Sequence, residues 1–220
     1  MVTLDDLSKE AHAHLAGVAH GEGLDALNAA LIGLAVHASV ANLDTDAIER
    51  FSALALDAGA SGAQVHDVLV LVSGLGVHTL MEGSRRVARL LAARADPAFG
   101  APLDSRRSAL WEQYVGSSGY WDAMENEAPG FLEALLRQSP EAFQAFFQYC
   151  AVPWKSAALS RASKELISIA VDATPNHRYL PGLRLHLKNA IALGVGGAAI
   201  LEALAIAAAV PAHPGVGRAV

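Results

Sequence analysis

The chain has almost no cysteine. Cys150 is the single one in 220 residues, so an internal disulfide and a vicinal dithiol redox centre are both excluded. The first residues, 1–6, are acidic where a signal peptide would be basic. We therefore expect a cytoplasmic protein.

Charge is also scarce, and clusters of basic residues are missing. Charged residues make up 17% of the chain, with 22 acidic against 16 basic and a net charge of −6, which argues against a nucleic-acid partner. The most apolar stretch, 194–217, is interrupted by Glu202, Pro211 and Pro214. Its uncharged runs are shorter than the roughly 20 residues that cross a bilayer, so we expect no membrane segment.

The alternating pattern of β-strands is absent as well, and helical periodicity takes its place. Apolar residues recur at helical spacing in 27–38, 51–58 and 65–72. Because 53% of the residues are hydrophobic, the chain can bury a large core without a metal or a disulfide. The sequence predicts an all-α fold, with a Pro- and Gly-rich linker at 96–102.

The two halves of the chain match each other. An offset of 135 positions aligns 31–78 with 166–213 without a gap, and it pairs Gly59 with Gly194. This register predicts an internal duplication. The predicted divisions are an N-terminal degenerate repeat at 1–95, a linker and connecting helix at 96–117, and a C-terminal repeat at 118–220.

The polar residues of the second copy have no counterparts in the first. At the same offset, Glu165 aligns with Ala30, His177 with Asn42, Tyr179 with Asp44, Arg184 with Glu49, and His186 with Phe51. Core spacing and site chemistry are separate requirements. We therefore expect any active site in the second copy.

The second copy also carries a family resemblance. The stretches 163–171, 184–190 and 200–204, together with Gly194, resemble the carboxymuconolactone decarboxylase family, whose fold is shared with the alkyl hydroperoxide reductase D (AhpD) type. The resemblance implies two tandem diverged repeats of an AhpD-like helical bundle. It also implies a site around the glutamate and histidine of the motif and a homo-oligomer, for which we favour a trimer.

Two departures from the family pattern limit what carries over. The redox branch has a Cys-x-x-Cys pair before its histidine, and here residues 177–182 contain no sulfur, so a dithiol peroxidase is not expected. The interval from Glu165 to His186 is about two residues longer than in the decarboxylase proper. The added Pro181-Gly182 predicts a turn and a differently shaped loop.

We assign catalytic roles to Glu165, His186 and His177. A buried carboxylate beside an imidazole can move protons near neutral pH. The alternatives are a capping carboxylate and structural or solvated histidines. We expect the substrate to be bound by Tyr179, Arg184 and His213.

A metal centre is a separate hypothesis. Glu165, His177, His186 and His213 could supply the ligands of an open zinc site, but their spacing does not require one. We predict no metal and no cofactor.

These observations favour a cofactor-independent enzyme that performs proton transfer or decarboxylation on a small carboxylated lactone or keto acid. The alternative is a non-catalytic oligomeric scaffold or small-molecule binder in which the polar set is a remnant. Thiol peroxidase chemistry through Cys150 is not expected.

Overall fold

Helices make up all the regular structure in the part of the chain that the structure describes. The structure, a computed structural model, describes residues 1–116 and 119–214, so the predicted boundaries at 118 and 220 lie outside the described residues. The all-α prediction is confirmed. In chain order the helices are α1 (Leu4–Leu15), α2 (Ala26–Ala38), α3 (Thr45–Asp57), α4 (Gly62–Leu75), α5 (His78–Ala93), α6 (Pro97–Gly100), α7 (Ser105–Tyr114), α8 (Gly119–Glu127), α9 (Phe131–Gln138), α10 (Pro140–Lys155), α11 (Arg161–Ala173), α12 (Leu180–Ala192) and α13 (Gly197–Ala208).

The helices form two compact units. The first joins residues 1–73 to the described part of 153–220, and the second is 74–152. The chain leaves the first unit within α4 and returns to it within α10. The first unit therefore takes helices from both predicted repeats. Compact units are defined by contacts, whereas repeats are defined by common sequence, so the units do not test the repeat boundaries. These boundaries stay a prediction.

Two central helices organise the first unit. Residues 30–37 of α2 and 164–173 of α11 are buried on every side. Helix α2 packs on α3, while α11 packs on α12, α13 and α2. Asp25 and Ser160 cap the N-termini of α2 and α11 by accepting a backbone hydrogen bond. A polar side chain on either helix therefore enters the core.

The backbone of α2 and α3 repeats in α11 and α12 at the offset seen in the sequence. Leu43 and Arg178, which occupy equivalent positions, have φ values of 35° and 49°, a left-handed conformation that is uncommon outside glycine. Gly59 and Gly194 are also equivalent, with φ values of 96° and 82°. The hydrogen bond at the turn recurs too, from Asp44 N–H to the His37 carbonyl (3.0 Å) and from Tyr179 N–H to the Asp172 carbonyl (2.8 Å). These shared irregularities support the duplication.

The second unit has its own aromatic core. Phe131, Phe143, Phe146 and Phe147 are buried there. Trp121 meets Phe147 edge to face, with ring centroids 4.7 Å apart, a geometry that adds to the stabilisation from burial. These aromatic residues therefore form the core of this unit.

One helical stretch in the described residues, Gly62–Ala93, is long and apolar enough to cross a membrane by length and composition. It consists of α4 and α5. Core helices of globular proteins satisfy the same two criteria, so length and composition do not separate the two cases. The absence of a membrane segment stays a prediction.

Candidate active site

The structure joins Glu165 and His186 in the core of the first unit. His186 Nδ1 lies 2.6 Å from Glu165 Oε2, and the two residues are only 5% and 6% exposed. Because an ionised carboxylate only accepts hydrogen bonds, Nδ1 carries the proton. The opposite ring nitrogen, Nε2, is then the atom that can exchange a proton with another group.

The approach of α12 to α11 brings the two residues together. Glu165 enters the core because α11 is buried on all sides. Pro181 lies in the first turn of α12, where its missing N–H is tolerated. A Cβ on Gly182 would overlap the carboxylate of Asp172. Glycine therefore permits the close packing of the two helices at this point.

Two further side chains hold the pair in place. Asn189 Nδ2 donates to Glu165 Oε1 at 3.2 Å, so both carboxylate oxygens accept a hydrogen bond. The indole of Trp154 lies parallel to the His186 ring, with a centroid distance of 6.4 Å and an angle of 5°. The ring of His186 is thus fixed in both orientation and tautomer.

The charge of Glu165 controls the proton affinity of His186. Burial by itself lowers the pKa of His186, but the hydrogen bond to Glu165, the charge of Glu165 and the charge of Asp172 raise it, and the net pKa lies above the ordinary value of 6.5. The surroundings of the ring therefore favour its protonated form more than water does. A buried acid–base pair of this kind can hold and release a proton.

A second polar group surrounds Asp172, which is fully buried. His177 Nε2 lies 3.6 Å from Asp172 Oδ1. The rings of His177 and Tyr179 are 5.7 Å apart and tilted by 32°. Asp172 connects this group to the acid–imidazole pair, because its charge also acts on His186.

Arg184 has an ion-pair partner within the chain, and His213 lies exposed. Arg184 forms a two-point ion pair with Glu10 of α1, with both N–O distances at 2.9 Å. This hydrogen bond lowers the pKa of the Glu10 carboxyl below its ordinary value. A substrate carboxylate would have to share the guanidinium with Glu10 or displace it, and the substrate role of Arg184 stays a prediction. His213 is exposed in the segment after α13, and its substrate role stays a prediction.

Sequence reasoning missed three residues of the site: Asp172, Asn189 and Trp154. Asp172 belongs to a run that is otherwise almost entirely apolar, 166–173, and an acid in such a run signals a buried partner. Asn189 follows His186 by three positions, which places it on the same helix face. Trp154 had no sequence signal that linked it to the site.

The chemistry of Cys150 agrees with the expected lack of thiol catalysis. Burial raises the pKa of this thiol to about 11. The thiolate is the reactive form, so little of it exists at neutral pH.

A metal at the pair would require a rearrangement. Zinc binds imidazole nitrogen and carboxylate oxygen at about 2.0–2.2 Å each, whereas Glu165 Oε2 and His186 Nδ1 are bonded to each other. The metal hypothesis would therefore replace a hydrogen bond that the described residues already make. The absence of a metal stays a prediction.

Comparison with known proteins identifies relatives. The sequence model of the Carboxymuconolactone decarboxylase family matches residues 140–220. The crystal structure of a candidate gamma-carboxymuconolactone decarboxylase subunit from Burkholderia xenovorans is similar, with a TM-score of 0.71 and 30% sequence identity, covering 92% of this chain and 77% of that chain. No curated protein matches the sequence significantly.

Proposed function

The chain belongs to the carboxymuconolactone decarboxylase family, and on this premise we propose that it is a cofactor-independent enzyme acting on a small carboxylated lactone or keto acid. Glu165 and His186 handle the proton in this reaction. The observation that carries the proposal is the buried hydrogen bond of 2.6 Å between them. It gives the imidazole a fixed tautomer and a raised proton affinity.

In the proposed step, the bond between the substrate carboxylate and its α-carbon breaks. Carbon dioxide leaves, and the electron pair of the broken bond stays on the α-carbon as an enolate. The imidazolium of His186 donates its Nε2 proton to that carbon, and a proton from water restores it for the next turnover. The same pair, working in reverse, removes a proton from the α-carbon. Glu165 is a positioning residue here, since it touches the imidazole and not the substrate.

The enolate needs a partner for its developing negative charge. We assign this role to His177 and Tyr179, which lie together beside Asp172, because donors preorganised in a buried site stabilise such charge strongly. His213 is kept as an outer contact for the substrate carboxylate. Arg184 is left out of the proposal, because Glu10 occupies its guanidinium.

The test compares the purified protein with His186→Gln and Glu165→Gln, using carbon dioxide release from gamma-carboxymuconolactone and a panel of related lactones and keto acids. Loss of the general acid should lower kcat/KM by about 10²–10⁴. Glu165→Gln should lower kcat less. It should also move the alkaline loss of activity to lower pH, because the carboxylate that raises the pKa of His186 is gone.

The matched control is His66→Gln, which changes an exposed histidine of α4 in the same compact unit. Its turnover should equal that of the wild type. Wild-type turnover by His186→Gln, with helical content and molecular mass unchanged, would rule out the proposed role and favour the non-catalytic alternative.

A further inference from the structure

The first compact unit contains a cavity of about 600 Å³, formed by α2, the α3 region and the end of α13. Its volume is in the range of small-molecule sites, roughly 300–1,000 Å³. The wall is mostly apolar. Its apolar lining includes Ala26, Ala29, Ala30, Leu54, Ala58 and Ile206.

This cavity is the first-repeat counterpart of the acid–imidazole site. At the offset of 135 positions, Ala30 corresponds to Glu165 and Phe51 corresponds to His186, and both Ala30 and Phe51 line the cavity. The two repeats share backbone irregularities in this region, as Leu43 shows. Ala30 has a methyl group where Glu165 has a carboxylate, so the first repeat has open space at this position and no acid–imidazole pair. The cavity is therefore suited to binding and not to the proton transfer of the second repeat.

One buried polar group faces this apolar wall. His37 lines the cavity and is 8% exposed, and its Nδ1 donates to the Gly33 carbonyl at 2.8 Å. Its ring stacks on Phe51 at a centroid distance of 4.9 Å. This bond engages Nδ1 within α2, so Nε2 is the ring nitrogen that can meet a ligand.

The lining of the cavity contains two charged residues, Arg50 and Asp44. The guanidinium of Arg50 lies 4.8 Å from the centroid of the Phe51 ring, and Arg50 forms no ion pair with any residue in 1–116 or 119–214. Asp44, the acidic residue of the lining, is engaged as the N-cap of α3, where it accepts from Ala47 N–H at 3.1 Å. Arg50 therefore offers a guanidinium that forms no ion pair among the described residues, beside an apolar wall.

We propose that this cavity binds a small organic monoanion. Its apolar body packs against the alanine and leucine wall and the Phe51 ring, and its carboxylate or sulfonate pairs with Arg50. The site shares no residue with the Glu165–His186 pair, so it stands independently of the proposed catalytic function.

Two fluorescent probes with one shared body test the proposal. Anilinonaphthalene sulfonate is an apolar monoanion, and phenylnaphthylamine is its neutral analogue without the sulfonate. The wild-type protein should bind one anilinonaphthalene sulfonate per chain in a saturable titration. It should bind phenylnaphthylamine more weakly, since the neutral probe gains only the apolar contacts.

Two variants then separate charge from space. Arg50→Gln should weaken the binding of anilinonaphthalene sulfonate about fivefold, the upper range for an exposed charge pair. The binding of phenylnaphthylamine should be unchanged. Ala58→Trp, at an exposed lining position, should abolish the binding of both probes, because the larger side chain fills the cavity. The matched controls are Arg89→Gln and Ala53→Trp, exposed residues outside the lining, and both should bind like the wild type.

Three outcomes overturn the proposal. Unchanged binding in Ala58→Trp would place the probe on other exposed apolar surface. If Arg50→Gln weakened the binding of both probes equally, the guanidinium would maintain the shape of the cavity and would not pair with the anion. Absence of wild-type binding, with a lower mass of Ala58→Trp by light scattering, would show that a second copy of the chain covers the cavity.

Discussion

At the scale of single residues, the candidate site is a carboxylate and an imidazole buried against each other in the first compact unit. The pairing of Glu165 with His186 could be predicted, because each belongs to a helical run and the family resemblance connects them. The structure adds Asn189 and Trp154, which fix the carboxylate and the ring. These partners come from tertiary packing, which helical periodicity does not determine.

Arg184 shows how little one sequence says about the partner of a long side chain. Near the start of a helix beside a proposed site, an arginine is a reasonable partner for a substrate carboxylate. Within the chain it pairs with Glu10, because α1 packs on α12. The sequence contains no periodic signal that relates residues so far apart in the chain.

Lys164 leads to a prediction about stability. It is 1% exposed, donates to the Ser156 carbonyl at 2.7 Å and lies 3.9 Å from Asp67 Oδ2. Asp67→Asn would leave a buried ammonium without its acid, so the free energy of unfolding should fall by about 3–5 kcal/mol. Urea denaturation of the variant measures this loss.

The control for this prediction is Asp5→Asn, which breaks the exposed Lys9–Asp5 pair. Solvent screens an exposed pair, so the control should unfold almost like the wild type. Equal small losses in the two variants would mean that Lys164 gains nothing from Asp67.

At the scale of elements, the start of α12 differs from the sequence prediction. Pro181 and Gly182 predicted a turn in a loop over the site, but both lie within the first turn of α12, Leu180–Ala192. Proline is compatible with a first helical turn, and Gly182 is required there by the closeness of Asp172. A proline–glycine pair is compatible with a loop turn and with a first helical turn. Here the packing of α12 on α11 selects the helical turn.

The close approach at Gly182 gives a second stability prediction. Gly182→Ala places a Cβ against the buried carboxylate of Asp172, so overpacking should destabilise the protein by about 1–3 kcal/mol. Turnover should fall as well, because Asp172 is displaced near His186. Thermal unfolding and the decarboxylation assay measure the two effects.

Gly83→Ala is the matched control, since a Cβ at this glycine of α5 meets nothing within 4 Å. That change should be neutral or stabilise by up to about 1 kcal/mol. If Gly182→Ala were equally harmless, α12 would not depend on this contact with α11.

At the scale of the whole molecule, the two compact units do not coincide with the two predicted repeats. The linker composition of 96–102 predicted a division near the middle, yet these residues lie inside the second compact unit, 74–152. The first unit combines α2 and α3 with α11 and α12. Composition marks local flexibility, whereas a compact unit depends on which helix faces bury each other. The expected trimer remains a prediction based on the family resemblance.

The two predicted repeats differ in what lies at matching positions. The second holds a buried carboxylate–imidazole pair, and the first holds an open cavity. The shared turn geometry of the repeats explains how the same backbone supports both. Side-chain replacement at two positions, Glu165 against Ala30 and His186 against Phe51, accounts for the difference.

The most direct test of the account is the pKa of His186, measured by NMR titration of its imidazole in the wild type and in Glu165→Gln. We predict a wild-type pKa above the ordinary 6.5, because Glu165 and Asp172 favour the imidazolium more than burial opposes it. In Glu165→Gln the pKa should fall, since burial remains and the main favourable charge is lost. A wild-type pKa at or below 6.5, or one that Glu165→Gln leaves unchanged, would contradict the proton-handling pair.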